Sequence, residues 1–260
     1  MISKGGLWAA FFLPRESALD QLASAFRGSC GGQYFAPAVG VGVHCARLRL
    51  IRFYHAPWSR SSSILWLLEE IGEPYRIVLV DVRAKQGVPE AYRKIQPSKK
   101  VPAIEDGKIV VTERAAIILY LADRFANAGL VPPADKPAER AAYYRMIVYC
   151  DAVLDPAVTA HSLGLSYDGR KLPFGAYEEA LAFIEAHLIR NPYAAGARFS
   201  AADIQLASSI NYMMNFLNAL PRKRIFLDYI ARVERRRAYC RMQEKDLAMA
   251  AKLPYFVGAA

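Results

Sequence analysis

The sequence is poor in the residues that build metal centres and disulfide scaffolds. Its 260 residues include four cysteines, Cys30, Cys45, Cys150 and Cys240, and no two of them form a C-x-x-C pair. Free thiols in a reducing compartment are therefore expected. The four histidines are equally scattered, which gives no ligand spacing and no expected metal. Long apolar runs are missing too. Phe35 to Val43 and Ile117 to Ala122 fall well short of the roughly 20 residues that cross a bilayer, so no transmembrane helix is expected. Hydrophobic residues still make up 54% of the chain, ample for a core that needs no staples.

The formal net charge is +10, but Lys and Arg are spread along the chain. The one cluster, Arg232 to Arg237, is interrupted by Val233 and Glu234 and reads as a solvated helix face. A nucleic-acid partner is not expected. Attraction of small anionic molecules is the first use to consider for such a charge.

Residues 1–46 mix Gly, Ser and Ala with short apolar patches and lack periodicity, so they are expected to lie outside the fold as an extension or a start assigned too early. Lys4 followed by Leu7 to Leu13 faintly resembles a signal peptide. The segment runs straight into Pro14-Arg15-Glu16 without a small-residue cleavage site.

From Arg47 the pattern changes. Leu48, Leu50, Arg52, Phe53 and Tyr54 read as a strand ending at His55-Ala56-Pro57. A helix follows, capped by Ser59 or Ser61, with Ile64, Leu65, Leu67, Leu68 and Ile71 as its apolar face and Gly72 as its stop. Tyr75 to Val80 is a second strand, and Glu90 to Ile95 a short helix. Val101 to Ile104 and Ile109 to Val111 form a hairpin about Asp106-Gly107, and Thr112 to Phe125 closes the unit as a helix. The proline-rich stretch Val131 to Pro137 reads as a linker. Beyond it the spacing is helical throughout: Ala138 to Ala160, Gly175 to Leu188, Ser200 to Asn218 and Phe226 to Met242. Ser200 with Asp203, flanked by Phe199 and Ile204, is a capping signature of structural meaning.

Three places could do chemistry. At Pro57-Trp58-Ser59-Arg60-Ser61 a strand turns into a helix, where backbone N–H groups and the dipole favour an anion. A thiolate is one such anion, stabilised further by a hydroxyl donor. At Lys99-Lys100-Val101-Pro102 a proline opening a strand suggests a cis bond that leaves the Val101 N–H and C=O free for an extended peptide. At Thr112-Glu113-Arg114 a helix N-terminus and Arg114 could hold a carboxylate, and Glu113 an ammonium. Together they suit a small peptide with a thiol, a free amine and carboxylates.

The order and spacing of Phe53 to Ser61, Leu65-Trp66-Leu67-Leu68-Glu69-Glu70, Pro97 to Gly107 and Thr112-Glu113 with Ala116 to Ala122 resemble the amino-terminal half of bacterial glutathione transferases. The likeness covers Arg47 to Pro133 and returns over Phe199 to Leu206. It implies an α/β thioredoxin-like domain (βαβαββα) over 47–126, a linker over 127–137 and an all-α helical-bundle domain over 138–260. It further implies glutathione as co-substrate without a metal, a small electrophile as second substrate, a homodimer, a cytoplasmic location away from membranes, and a role in detoxification.

By position, Ser59 matches the residue at the thiol, with Tyr54 and Ser61 as alternatives. Val101 matches the residue pairing with the cysteinyl backbone and Pro102 the cis-proline, while Lys99 and Lys100 match the glycyl-carboxylate side and Glu113 the γ-glutamyl end. Arg114 stands where the family usually has a serine, either binding the carboxylate or crowding the site. The acceptor pocket is expected along the first helix of the second domain, where Tyr143, Tyr144, Met146, Tyr149 and Cys150 lie, mostly as core. The implied activity is conjugation of the glutathione thiolate to an electrophile. The alternatives are glutathione-dependent reduction, isomerisation or ether cleavage on the same scaffold, and non-catalytic binding of ligand or protein.

Overall fold

The computed structural model describes residues 50–257; the expectations for 1–46, including the extension and the signal-like stretch, lie outside the described residues. β1 spans Ile51–His55, and its alternation sends Ile51, Phe53 and His55 to one face and Tyr54 to the other. α1 (Ser62–Ile71) covers the first face with Ile64, Leu65, Trp66, Leu67 and Leu68, all essentially buried. Gly72 ends α1 with φ +77°, donating its N–H to the Leu68 carbonyl, a conformation that a Cβ would penalise.

β2 (Tyr75–Leu79) returns parallel to β1, and a 3₁₀ turn at Glu90–Lys94 stands where a short helix was expected. β3 (Ala103–Asp106) and β4 (Ile109–Thr112) form the hairpin. Its two-residue turn is Gly107-Lys108, one position later than the expected Asp106-Gly107: Asp106 ends the strand, buried, accepting from Tyr120 and Arg124 of α2 (Arg114–Arg124). The sheet order β2-β1-β3-β4, with β1 antiparallel to β3, is that of a thioredoxin-like layer. A second small apolar cluster of Tyr54, Val80, Tyr92 and Ala103 covers its other face.

The rest is helical: α3 (Pro137–Tyr149), α4 (Asp155–Ser162), α5 (Tyr177–Arg190), α6 (Ala201–Asn215), α7 (Arg224–Glu234), α8 (Arg237–Ala250) and a last turn, α9 (Pro254–Val257). The stretch read as one helix from Ala138 to Ala160 carries a π-helical turn at Cys150–Leu154. Pro156 has no N–H for an α-helical bond, a local cause for such a bulge. The cap of α6 forms as its signature indicates. Buried Asp203 accepts from the backbone N–H of Ser200 (2.8 Å) and Ala194 (2.7 Å) and from the Tyr229 hydroxyl (2.9 Å).

The helix expected from Phe226 to Met242 is broken at Arg235-Arg236; Arg232, Arg235 and Arg237 are exposed, as expected for a solvated face, and Arg236 is the exception. Arg236 makes a two-bond ion pair with Glu70 of α1 (2.6 and 2.8 Å) and lies 3.8 Å over the Phe199 ring. Arg241 and Lys245 from α8 pair with buried Glu69 beside it, which also accepts from the Tyr75 hydroxyl. One contiguous core joins Phe53, Trp66 and Ile104 to Met146, Ile204 and Phe226, so the sheet layer and the helices bury each other. No helix among the described residues is long and apolar enough to cross a membrane.

Burial works to raise the Glu69 carboxyl, but the hydrogen bonds from Lys245, Tyr75 and Arg241 outweigh it and hold the group below its ordinary value of 4.5. Its contribution to stability is therefore present above pH 4.5 and is lost as pH falls toward the lower folded value. Glu69→Gln is expected to cost about 1–3 kcal/mol in denaturant titrations near neutral pH. The gap between variant and parent should shrink once the pH is taken below 4.5; a gap that stays constant with pH contradicts the assignment.

Candidate functional site

Strand register gathers the three expected places. Tyr54 pairs with Ala103, and Ala103 with Thr112, so one row of the sheet fixes three strand ends. From that row β1 runs on to Pro57 and Ser59, β3 is entered from Val101 and Pro102, and β4 runs on to Glu113. Each approach contains a non-glycine residue in the left-handed region: Trp58 (φ 51°), Lys99 (φ 55°) and Glu113 (φ 66°). Such conformations persist only where surrounding contacts enforce them, and they concentrate at ligand sites.

Ser59 sits in the turn, partly exposed. Its Oγ donates to the Ala56 carbonyl (2.8 Å), lies 2.8 Å from Ser61 Oγ and accepts from the Ser61 N–H (3.1 Å). The N–H groups of Ser59 and Arg60 have no protein acceptor among the described residues, which leaves donors at the positive end of α1. Neither serine caps α1 with its side chain in the expected way. Ser61 precedes the helix, but its Oγ is turned inward to His55 Nδ1 (2.7 Å) and the Ala56 N–H (3.1 Å), fully buried.

Tyr54, the other alternative, is on the opposite face of the sheet. Its hydroxyl donates to Glu105 (2.7 Å), and burial, with that bond and the Glu105 charge, pushes its pKa up to about 12. A proton so committed is a poor donor to sulfur, and Ser59 is the hydroxyl of the three that faces open space.

The Val101–Pro102 bond is cis, and the N–H and C=O of Val101 take no hydrogen-bond partner among the described residues. Lys99 Nζ is held by the Val88 carbonyl (3.1 Å) and Glu90 (3.0 Å), whereas Lys100 is exposed and its ammonium has no protein partner among the described residues. Glu113 receives a hydrogen bond from the side chain of buried Gln96 (3.1 Å), a support that no sequence signal marked.

Arg114 departs from expectation. Its side chain is 5% exposed and is tied to Asp151 and Asp155 on the π-turn and α4, so it neither reaches out to a carboxylate nor crowds the peptide's place. The Ala115 N–H also donates to Asp151 (3.1 Å), and Arg60 pairs with Asp155 from the turn. Burial alone would lower the Arg114 pKa; the two carboxylates overcome it and hold the guanidinium charged.

Beside Ser59 opens a cleft between α1, α6 and α8, with Trp58, Tyr212, Phe216 and Met242 as its apolar walls. Glu234 lies in it, raised to about 7 by burial against hydrogen bonds from Tyr239 (2.6 Å) and Asn211 (2.7 Å). Of the five residues expected along the first helix of the helical region, Tyr143, Met146 and Cys150 are buried in the core, as expected for most of them, and none of the five lines this cleft. Cys150, expected as a free thiol, is free and buried. Among the described residues no cluster of three or more His, Cys, Asp or Glu could hold a metal ion.

The sheet, the cis-proline and the helical layer define a thioredoxin-like fold with a helical C-terminal region. The family model "Glutathione S-transferase, N-terminal domain" matches residues 50–123. Glutathione S-transferase 3 of Schizosaccharomyces pombe is 31% identical over 195 residues, covering 68% of this chain and 80% of that protein. The theta class glutathione S-transferase of Xanthomonas axonopodis pv. citri, solved with glutathione bound, superposes with a TM-score of 0.61 at 29% identity over 75% of this chain and 97% of that one. A glutathione transferase from Methylococcus capsulatus shares the fold at 23% identity, with a TM-score of 0.63 over 76% of this chain and 98% of that one. The chain belongs to the glutathione S-transferase family.

Asp151 accepts two of the three hydrogen bonds from the buried Arg114 guanidinium, and its loss leaves that charge underpaired. Asp151→Ala is expected to cost about 3 kcal/mol in chemical denaturation. A loss no larger than that of an exposed substitution, roughly 0.5 kcal/mol, would refute the assignment.

Proposed function

We propose that the protein is a glutathione S-transferase that conjugates the glutathione thiolate to a small electrophile held in the cleft between α1, α6 and α8. The observation that carries this reading is the partly exposed Ser59 hydroxyl at the positive end of α1, on the sheet end where the Val101 backbone is also unpaired. The peptide lies extended along Val101 with its sulfur at Ser59, its glycyl carboxylate toward Lys100 and its γ-glutamyl amine at Glu113. Lys99, already paired with Glu90, serves as a secondary partner on the glycyl side. Pro102 shapes the approach, and Arg114 supports the wall from behind through Asp151 and Asp155.

A developing S⁻ is favoured by the helix end and by a hydroxyl donor in a partly dehydrated cleft. The thiolate attacks the electrophilic carbon, forming the S–C bond as the leaving group departs with its electron pair. A serine in place of a cysteine at this turn argues against a disulfide-exchange reductase. The proposal extends to a thioredoxin-like unit over 47–126 and a helical unit over 138–260 joined through 127–137, and to a cytoplasmic homodimer acting in detoxification.

Ser59→Ala is expected to lower kcat/KM for a chromogenic aryl halide by about 100-fold, the usual loss on removing one donor to a developing anion. Calorimetry should show glutathione still binding to the variant. Parental turnover by Ser59→Ala would remove the serine from the mechanism.

A further inference from the structure

Behind Ser59 runs a buried chain of polar groups that the conjugation scheme leaves unused. Ser59 Oγ lies 2.8 Å from Ser61 Oγ, which lies 2.7 Å from His55 Nδ1, and His55 Nε2 lies 2.7 Å from Asp246 Oδ1. Ser61, His55 and Asp246 are each 0% exposed. The second Asp246 oxygen accepts from the Trp58 N–H (3.3 Å) and the Ser62 hydroxyl. A hydroxyl, an imidazole and a carboxylate in this order form an activated-nucleophile arrangement, with the base oriented by a third group. Here the exposed end of the chain is a hydroxyl placed to meet a thiol.

Resting on the thiol-site reading above, we propose that Ser61, His55 and Asp246 form a proton relay that takes the proton of the bound thiol from Ser59. In the resting state Asp246 accepts from His55 Nε2–H, and His55 Nδ1 accepts from Ser61 O–H. The Ser59 proton then points inward to the Ala56 carbonyl or Ser61 Oγ, and a Ser59 lone pair faces the cleft. When the thiol docks, its S–H bond breaks and its proton goes to Ser59 Oγ. The Ser59 proton passes to Ser61 Oγ, and the Ser61 proton passes to His55 Nδ1. One S–H is lost and one N–H is gained. The product is a thiolate receiving a hydrogen bond from Ser59, with an imidazolium paired to the Asp246 carboxylate. After conjugation the proton returns outward through the two serines to solvent.

The surroundings suit this assignment. The Phe53 ring lies 5.0 Å from the His55 ring and excludes water on that side. Of the charged groups nearby, Asp246 faces His55 directly. Arg83 is spent on the carbonyls of Pro57 (3.1 Å) and Trp58 (2.9 Å), and Lys245 is turned onto Glu69 and the Tyr75 hydroxyl. Asp246 comes from α8, 191 residues from His55, so the helical region supplies a working part of the thiol site. Ser61, His55 and Asp246 act through Ser59 and are positioning residues.

The test uses the full chain. Ring-nitrogen NMR of His55 is recorded with glutathione and with S-methylglutathione, which has no thiol proton. Glutathione is expected to convert His55 to the imidazolium and S-methylglutathione to leave it neutral; identical ring states with both ligands would overturn the relay. In a second arm, Asp246→Asn is expected to raise the apparent pKa of the bound thiol, read from thiolate ultraviolet absorbance, by about one unit, or tenfold less thiolate. A parental thiol pKa in that variant also counts against the relay. Absence of glutathione binding by the parent protein would overturn both the relay and the reading beneath it, whereas binding and ionisation with both arms null would overturn the relay alone.

Discussion

The Asp246 carboxylate is the constraint on which the rest of the site depends. From one position on α8 it takes hydrogen bonds from His55, from the Trp58 N–H and from the Ser62 hydroxyl, three groups spread over the passage from β1 into α1. That passage is short, contains a left-handed tryptophan and ends in three consecutive serines, and Asp246 adds an anchor from outside to the local bonds among Ala56, Ser59 and Ser61. A buried carboxylate with its donors in place is costly to rearrange, because each donor released would be left unpaired away from water. The turn is fixed, and with it the direction of Ser59.

The same logic explains the contacts around it. Glu69 and Glu70, at the far end of α1, are claimed by Arg236 just before α8 and by Arg241 and Lys245 within it. Arg60 and Arg114 are claimed by Asp151 and Asp155 from the π-turn and α4. Charges from the sheet layer are thus matched by charges from the helices on both sides of the cleft, over an apolar core shared by the two. Ion pairs of this kind add less to stability than their number suggests, but they specify one orientation of the packed layers. A cleft whose two walls come from different parts of the chain requires such a fixed orientation.

The fold was legible where its causes are local. The Gly72 stop, the alternation of β1 and the Ser200–Asp203 cap are set within a few residues, and their signals were visible in the sequence. The break at Arg235-Arg236 was not, because it follows from Glu70 and Phe199, which lie far away in the chain. For the site, register explains why three separated motifs meet, and the motifs themselves could be read in order. Their supports could not: Gln96 behind Glu113, the aspartates behind Arg114 and the aromatic walls on α6 have no spacing relation to the residues they serve. Neither has the pairing of a histidine at the end of a strand with an aspartate 191 residues later. Arg114 shows the reverse error, a residue given a ligand by its place in a motif when a closer pair of carboxylates already held it.

The central claim is that this sheet end, with Ser59 at its open corner, holds the thiol of glutathione. A crystal structure of the protein with glutathione tests it most directly. The sulfur is predicted within hydrogen-bond distance of Ser59 Oγ, with the cysteinyl backbone paired to Val101. A sulfur placed against Tyr54, or a peptide bound away from Val101 and Glu113, would contradict the account.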